Sequence, residues 1–520
     1  MNTKYLMGVD LGTSSTKAAL YKTDGTLIAQ CTIDVPIYYP KPGVVEQEND
    51  DFYRTAAQAV KTCLQESGIE PGQVAAVACD SQMAGVGAVD EDFNPAIRFD
   101  SWLDMRCQPY IEYIDRHYGE RVTRLTGCPP TCDHGPKILW WKEEQPQAYQ
   151  RVAKFLMPAG YVSGKMTGLA AEDAFIDYTF IHFSGLSDAQ KGQWSAELCQ
   201  AFGIDPAKLP RIVAPWHIVG EVQEKAAVDF GLAPGTPVAA GCGDTAAGAL
   251  GGGVVRPGML FDVAGTAAVL AGCTSAYVAD VKNRALLTMR SVIPGLWNPL
   301  AYIAGGGIAL RWFRDQFHNK LRGQPQELLP GLYDEMAAQA STVPPGAEGL
   351  FFSPHLGGRI CPASPEMRGA WSGFSWGHTQ AHFFRAILES VAYEYAYYLG
   401  ILNELIPGLK LTQARVVGGG AQSAVWNQIK ADVLGVPYQP LGGDEFGTWG
   451  CAMIAGKAVG MIDDLATVAD EHAVPAGQPF EPDPANHAVY QKFTRQYVDW
   501  QDTLKEAFER IGQPDTALDK

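Results

Sequence analysis

Two stretches about half a chain apart carry one pattern. MGVDLGTSSTKAALY, residues 7–21, reads as a strand, a tight polar turn with Gly12 and Thr13, and a second strand; MLFDVAGTAAVLAG, residues 259–272, repeats it with Gly265 and Thr266 in the corresponding places. A duplicated unit of this kind implies two similar lobes facing each other, each offering a Gly-Thr turn to one phosphate chain between them. The first copy extends into an antiparallel meander, with Asp24-Gly25 as a hairpin turn and TLIAQCTIDV as the third strand. Gly12, Thr13, Ser14 and Ser15 put backbone N–H groups and hydroxyls on a loop that glycine lets a ligand approach, which suits phosphate, and Asp10 suits a Mg²⁺ ion carrying it. The same residue types make ordinary turns. It is the recurrence that favours the ligand.

Just before the second copy, GCGDTAAGALGGG, residues 241–253, sets one carboxylate, Asp244, among glycines and alanines. Small neighbours leave its oxygens open to a ligand, which makes Asp244 the catalytic candidate. An Asp ahead of the helix-forming run TAAGAL is also a helix N-cap, and the two readings are compatible.

A chain of 520 residues is too long for one core, and two large lobes fit it best. With 47% hydrophobic and 19% charged residues it is ordinary globular material. The net charge of −17 argues against nucleic acid or an anionic membrane as partner, since phosphate-backbone binding rests on clustered Lys and Arg. The apolar run YLMGV meets Asp10 at once, so neither a signal segment nor a membrane span is expected there. Eleven scattered cysteines read as reduced thiols of a cytoplasmic protein. Cys128, Cys132 and His134 begin a zinc-like spacing that no second pair completes, so that segment is read as a loop.

Between the two turns, residues 52–67 have helical apolar spacing and VAAVACD, 74–80, is a buried-type strand. Its end delivers Gln82 and Met83, candidate substrate contacts because open α/β sheets bind ligands at strand ends; both are also ordinary turn and core residues. Trp102, Asp104 and Arg106 alternate, and on an extended segment they would share a side suited to a polyhydroxylated ligand, or form a surface ion pair. Residues 107–240 read as a helical insertion with loops, where Trp140 and Trp141 are core and Asp177 and Tyr178 are isolated. The Gly/Pro/aromatic stretch 353–378 is a long loop of the kind that shapes binding sites. Residues 382–399 form a long helix with Arg385 and Glu389 as an intrahelical pair. ARVVGGGAQSAVWNQIKADVLG, 414–435, is strand, triple-glycine turn and helix, and Gly419, Gly420 and Ala421 let a base or ribose lie on the backbone. A small-residue helix over 447–460 is expected to pack behind that turn, and a last amphipathic helix runs from 486 to 507.

Together these motifs resemble the FGGY carbohydrate kinase family, most closely its xylulokinase-like members, from about residue 5 to residue 460. The resemblance rests on MGVDLGTSSTKAALY, SQM followed by WLDMR, PPTCDHGPKILWWKEE, GCGDTAAGALGGG, the AGT turn and GGGAQSAVWNQIKADVLG, in family order. It implies an α/β fold of two ribonuclease-H-like lobes, of the actin and hexokinase ATPase type, spanning 1–253 and 254–520 with a ligand cleft between them. It implies ATP and Mg²⁺ as cofactors, a small sugar as substrate, and it allows a homodimer. By motif, Asp10 would act on Mg²⁺ mostly through water. Gly12, Thr13, Ser14, Gly265 and Thr266 would face the phosphates, and Gly419, Gly420 and Ala421 the adenosine. Gln82, Met83, Trp102, Asp104, Arg106 and Asp244 would line the sugar, with Asp244 as general base. D-xylulose is the substrate implied, with another ketose or polyol (ribulose, a pentitol, glycerol, gluconate) or a non-catalytic binding protein as alternatives. No G-x-x-x-x-G-K-[ST] occurs, so the P-loop solution is absent. The chain departs from the family at Ala84, where His is usual, at Gly357-Gly358-Arg359, at Leu388-Glu389-Ser390 and at Trp449. These leave the phosphate turns and Asp244 intact and direct attention to the sugar pocket.

Overall fold

The computed structural model describes residues 4–317, 330–443 and 445–512. Its first sheet contains β1 (Tyr5–Leu11), β2 (Ser15–Tyr21), β3 (Leu27–Asp34), β4 (Val74–Ser81) and β5 (Pro237–Gly243). β1 and β2 pair antiparallel, as do β2 and β3; β1 pairs in parallel with β4, and β4 with β5. The second contains β6 (Met259–Ala264), β7 (Ala268–Gly272), β8 (Trp297–Ile303), β9 (Gln413–Val417) and β10 (Tyr438–Pro440). Here too a three-stranded antiparallel meander pairs its first strand in parallel with a fourth, and the fourth with a fifth. The repeat read from two turns is therefore a repeat of topology, the two-lobed ribonuclease-H-like arrangement. Each sheet carries one further edge strand, Ile218–Glu221 beside β5 and Leu287–Arg290 beside β8.

The central strands are buried along nearly their whole length because helices cover them, which is why VAAVACD shows no alternation. Helix α1 (Asn49–Ser67) has Asp50 and Asp51 in its first turn and ends at Gly68, whose left-handed backbone returns its N–H to Leu64. Helices α2 (Gln108–Thr126) and α3 (His134–Glu144) belong to the insertion, and α4 (Pro158–Thr167) follows them. Then come α5 (Asp244–Gly251), α6 (Gln380–Leu405), α7 (Ala424–Leu434), α8 (Phe446–Ala458) and α9 (Pro484–Gly512), the last packed on α6 and α7.

Two expectations need correction. Residues 107–240 are not insertion throughout, since α4 packs on β4 and β5, and the stretch contains β5's first residues and its neighbouring edge strand. PVAAGCG has too many small residues to read as a strand alone; its place beside β4 makes it one. The helix 446–458 packs on β1, β4 and α5 of the first lobe. Its backbone comes so close that a Cβ on Gly8 would lie 1.8 Å from Thr448 O, and one on Gly450 2.2 Å from Ala247 O. Its small residues serve that approach. Trp449 packs against the ring of Tyr21, centroids 5.1 Å apart.

Candidate active site

The parallel register places three acids at one end of the first sheet. Asp10 on β1 lies opposite Asp80 on β4, and Asp80 opposite Cys242 on β5; Asp244 follows two residues later as the first residue of α5. The carboxyl ends of parallel strands are where such sheets hold ligands. The first turn of α8 closes over the same point, since a Cβ on Gly447 would sit 3.2 Å from Asp80 Oδ2 and 3.6 Å from Asp10 Oδ2. Two helix N-termini thus face the acids, a favourable field for negative charge.

Asp80 is fully buried; its Oδ2 accepts the Cys451 thiol at 3.3 Å, and its Oδ1 has no partner among the described residues. Burial, then the charge of Asp10, holds Asp80 well above the carboxylate range. Burial also raises Asp10, against the pull of Asp80 and Lys17. Two neighbouring carboxyls cannot both ionise cheaply, and the more deeply buried Asp80 is the one pushed further toward its neutral form. Among the described residues no cluster of three or more acidic, histidine or cysteine side chains forms a metal cage, and Asp10, partly exposed, is a carboxylate that a cation carried by the phosphates can reach. Asp244 accepts Thr245 N at 2.5 Å and Thr245 Oγ1 at 3.1 Å on Oδ1. Burial, then the charge of Asp10, raises it to about 7. A base poised near neutrality suits proton transfer at physiological pH.

The first Gly-Thr turn is pinned by Gly12 N to Ser15 O at 3.0 Å. Trp102 Nε1 donates to Thr13 Oγ1 at 2.9 Å, and that hydroxyl donates to Gln82 Oε1 at 3.3 Å. Gln82 Nε2 donates to Gln47 Oε1 at 2.8 Å, and Gln47 Nε2 returns to Thr13 O at 3.0 Å. With the Thr13 hydroxyl engaged, the donors of the turn without a partner among the described residues are the amides of Thr13 and Ser14 and the exposed Ser14 hydroxyl.

In the second lobe Thr266 is exposed and Gly265 half-buried. Their carbonyls accept Ile308 N at 2.9 Å and Gly307 N at 3.0 Å, seating a helix N-terminus on the turn. Gly418 takes a left-handed backbone, φ 85°, and a Cβ on Gly420 would lie 2.7 Å from Ala264 Cβ. The turn holding Gly419, Gly420 and Ala421 therefore lies directly against the end of β6 at Ala264, next to Gly265. Asn427 Nδ2 donates to Ala421 O at 2.7 Å and fixes it.

On the substrate side Met83 lies over Gly243, where a Cβ would come within 2.6 Å of Met83 Cε. Ala84 adopts a left-handed backbone, φ 63°. Trp102 meets Tyr302 of the second lobe edge to face, centroids 6.4 Å apart. Three proposed sugar contacts are placed elsewhere. Gln82 has both ends of its amide engaged and is 1% exposed, so it braces Thr13. Residues 101–107 turn instead of extending, and Asp104 is wholly buried, accepting Val45 N at 2.6 Å and Arg106 Nη2 at 2.7 Å. Arg106 also reaches Glu46 and lies 4.9 Å from the Trp140 ring. With Arg106 Nε and Nη2 and both Asp104 oxygens engaged internally, the pair supports the wall behind Trp102.

Sequence reasoning missed Asp80, Gln47 and the Gly305-Gly306-Gly307 run. The last had a signal, a second triple glycine between strand and helix; Asp80 had a weaker one, an acid ending a buried apolar run as Asp10 does.

Two family models match the chain: the N-terminal domain of the FGGY family of carbohydrate kinases over residues 5–251 and its C-terminal domain over residues 261–459. The chain is 30% identical over 513 residues to the xylulose kinase of Lactococcus lactis subsp. lactis, covering 97% of each. It is 28% identical over 477 residues to the gluconokinase of Bacillus subtilis, covering 90% of each. The crystal structure of xylulose kinase from Rhodospirillum rubrum matches with a TM-score of 0.85 at 26% identity, over 97% of this chain and 100% of that one.

Proposed function

The chain belongs to the FGGY family of carbohydrate kinases, and from that premise we propose that it transfers the γ-phosphate of ATP to a hydroxyl of a ketopentose, D-xylulose first, with Asp244 as general base. The observation that carries the reaction is Asp244 itself, poised at about 7 beside the phosphate turn and open to the cleft. Its carboxylate takes the proton of the sugar hydroxyl as that oxygen attacks the γ-phosphorus and the bond to ADP breaks. The amides of Thr13 and Ser14, with the turn at Gly265 and Thr266, donate to phosphate oxygens. Gly419, Gly420 and Ala421 form the floor under the adenosine. Met83 and Trp102 give the sugar an apolar wall that excludes water. A divalent ion, Mg²⁺ by preference, would be held by Asp10 and supplies charge neutralisation on the phosphates.

Xylulose is supported by relatives of that name at 26–30% identity along nearly the whole chain. Gluconate is a second reading, because gluconokinases at 28% identity cover 90% of the chain. The eleven cysteines are all free thiols, which supports a reducing, cytoplasmic setting. Among the described residues no helix is long and apolar enough to cross a membrane.

Coupled ADP release from MgATP across ketopentoses, ketohexoses, pentitols, glycerol and gluconate, against a blank without sugar, tests the proposal. Turnover led by xylulose is the expected result. Turnover with gluconate alone moves the specificity, and a blank-level signal throughout overturns the kinase assignment for this chain.

A further inference from the structure

The amide just before the base is held by a side chain from a distant segment. Gly243 N donates to Thr179 Oγ1 at 2.9 Å. Thr179 is fully buried and follows the short strand Phe175–Asp177, which pairs in parallel with Arg211–Val213. Thr179 N in turn donates to Asp177 Oδ1 at 2.8 Å, and Asp177 is 2% exposed. A hydroxyl has one proton and two lone pairs. Its acceptor side here takes Gly243, and the Asp177 carboxylate takes hydrogen bonds from Thr179. Burial pushes Asp177 up to about 7, against those bonds. The residue between them, Tyr178, donates its hydroxyl to Val292 O of the second lobe at 2.8 Å, with the Arg290 guanidinium 5.0 Å above its ring.

The geometry has a specific consequence for Asp244. Gly243 is extended, φ −72° and ψ 147°, and the next residue is already helical. The direction in which the carboxylate leaves α5 is set by that one change of backbone. Met83 packs on the same glycine, so the peptide is held by a thioether as well as a hydroxyl. We propose that Thr179, oriented by Asp177, is a positioning residue for Asp244: its hydroxyl fixes the Gly243 amide and so the aim of the base. The proposal rests on the reading of Asp244 as base. A threonine that merely fills a buried hydrogen bond would affect stability and leave turnover per folded molecule alone.

The test compares Thr179→Val, which keeps shape and removes the hydroxyl, with Thr179→Ser and Asp244→Asn. Steady-state kinetics use the best sugar of the panel; ADP titration calorimetry and thermal melting accompany them. Thr179→Val lowers kcat by about 10- to 100-fold, with KM for ATP and Kd for ADP within about twofold, because a small misplacement of a reacting group costs rate and not nucleotide affinity. Thr179→Ser restores the acceptor and recovers most of the loss. Wild-type kcat in Thr179→Val beside a dead Asp244→Asn overturns the positioning role and leaves the base intact. Full activity in Asp244→Asn overturns the base and this inference with it. Should Thr179→Val fail to fold, Asp177→Ala, which removes the acceptor of Thr179 N, is read the same way from the other end of the pair, and wild-type kcat there is the overturning result.

Discussion

In its proposed role as base, Asp244 depends on two effects that raise its affinity for a proton, burial and the charge of Asp10. A base accepts a proton only when ionised, so activity falls as pH drops through about 7. The acid limb of kcat/KM should have its midpoint at or below about 7, since a divalent ion favours the charged form. Asp244→Ala should cut turnover by about 10²- to 10⁴-fold with nucleotide binding retained, which a single-turnover assay and ADP titration check together. Gln47 illustrates a different kind of residue, one that touches nothing reactive. Its amide joins Thr13 O to Gln82, and both partners lie at the phosphate turn. Gln47→Leu leaves a buried carbonyl and a buried amide unpaired, so KM for ATP should rise several-fold, on the order of 1–2 kcal/mol of lost turn geometry. Unchanged ATP kinetics in that variant would remove Gln47 from the turn's support.

The stretch 353–378, expected as a loop throughout, contains the strand Ala370–Ser372 paired with Phe351–Ser353, and the segment between them is tied to α6 by a buried network. Arg359 Nη2 donates to Glu394 Oε2 at 2.9 Å, His355 Nε2 meets Oε1 at 3.2 Å, and Tyr497 donates to the same oxygen at 3.0 Å. Burial alone would raise Glu394, yet Arg359 and His355 outweigh it and bring the carboxyl down to about 2. A folded pKa below the unfolded value means stability that is present above about 4.5 and lost as pH falls from there towards 2. Glu394→Gln leaves the buried Arg359 guanidinium without its carboxylate, and urea unfolding at pH 7 should show a loss of about 3–5 kcal/mol. Its stability should also depend less on pH across that window than the wild type's. Glu389 has the matching role nearer the start of α6, bound to Arg385 at 2.7 Å and to Tyr490 at 2.8 Å. The pair looks intrahelical in sequence, and so it is, but its second function is to hold α9.

The two lobes meet along a seam on the insertion side as well as around the cleft. Thr288 N donates to Gly127 O at 2.8 Å, Tyr277 to Arg124 O at 3.0 Å, and Arg284 pairs with Asp115. Gly127 has a left-handed backbone, φ 80°, and a Cβ there would lie 3.0 Å from Thr288 O. Gly127→Val should loosen the seam and raise KM for the sugar by roughly tenfold while ADP affinity holds, because Trp102 and Tyr302 close the sugar side across the same gap. Equal loss of sugar and nucleotide binding would mean the seam only stabilises the fold.

The sequence alone determined the duplicated lobes, the two Gly-Thr turns, the triple-glycine turn and Asp244. Turn chemistry is local: a glycine, a small hydroxyl residue and an acid at fixed spacing show themselves without knowing what lies across from them. Even the isolated Asp177 and Tyr178 stand out as polar residues without a role. Only the tertiary structure decided that Asp80 lies beside Asp10, that Gln82 braces Thr13, that Asp104 turns inward to Arg106, that the helix 446–458 completes the first lobe, and that Thr179 reaches Gly243. Each of these depends on register between strands or on packing between segments tens to hundreds of residues apart, and an apolar run reads the same whichever neighbour it is given.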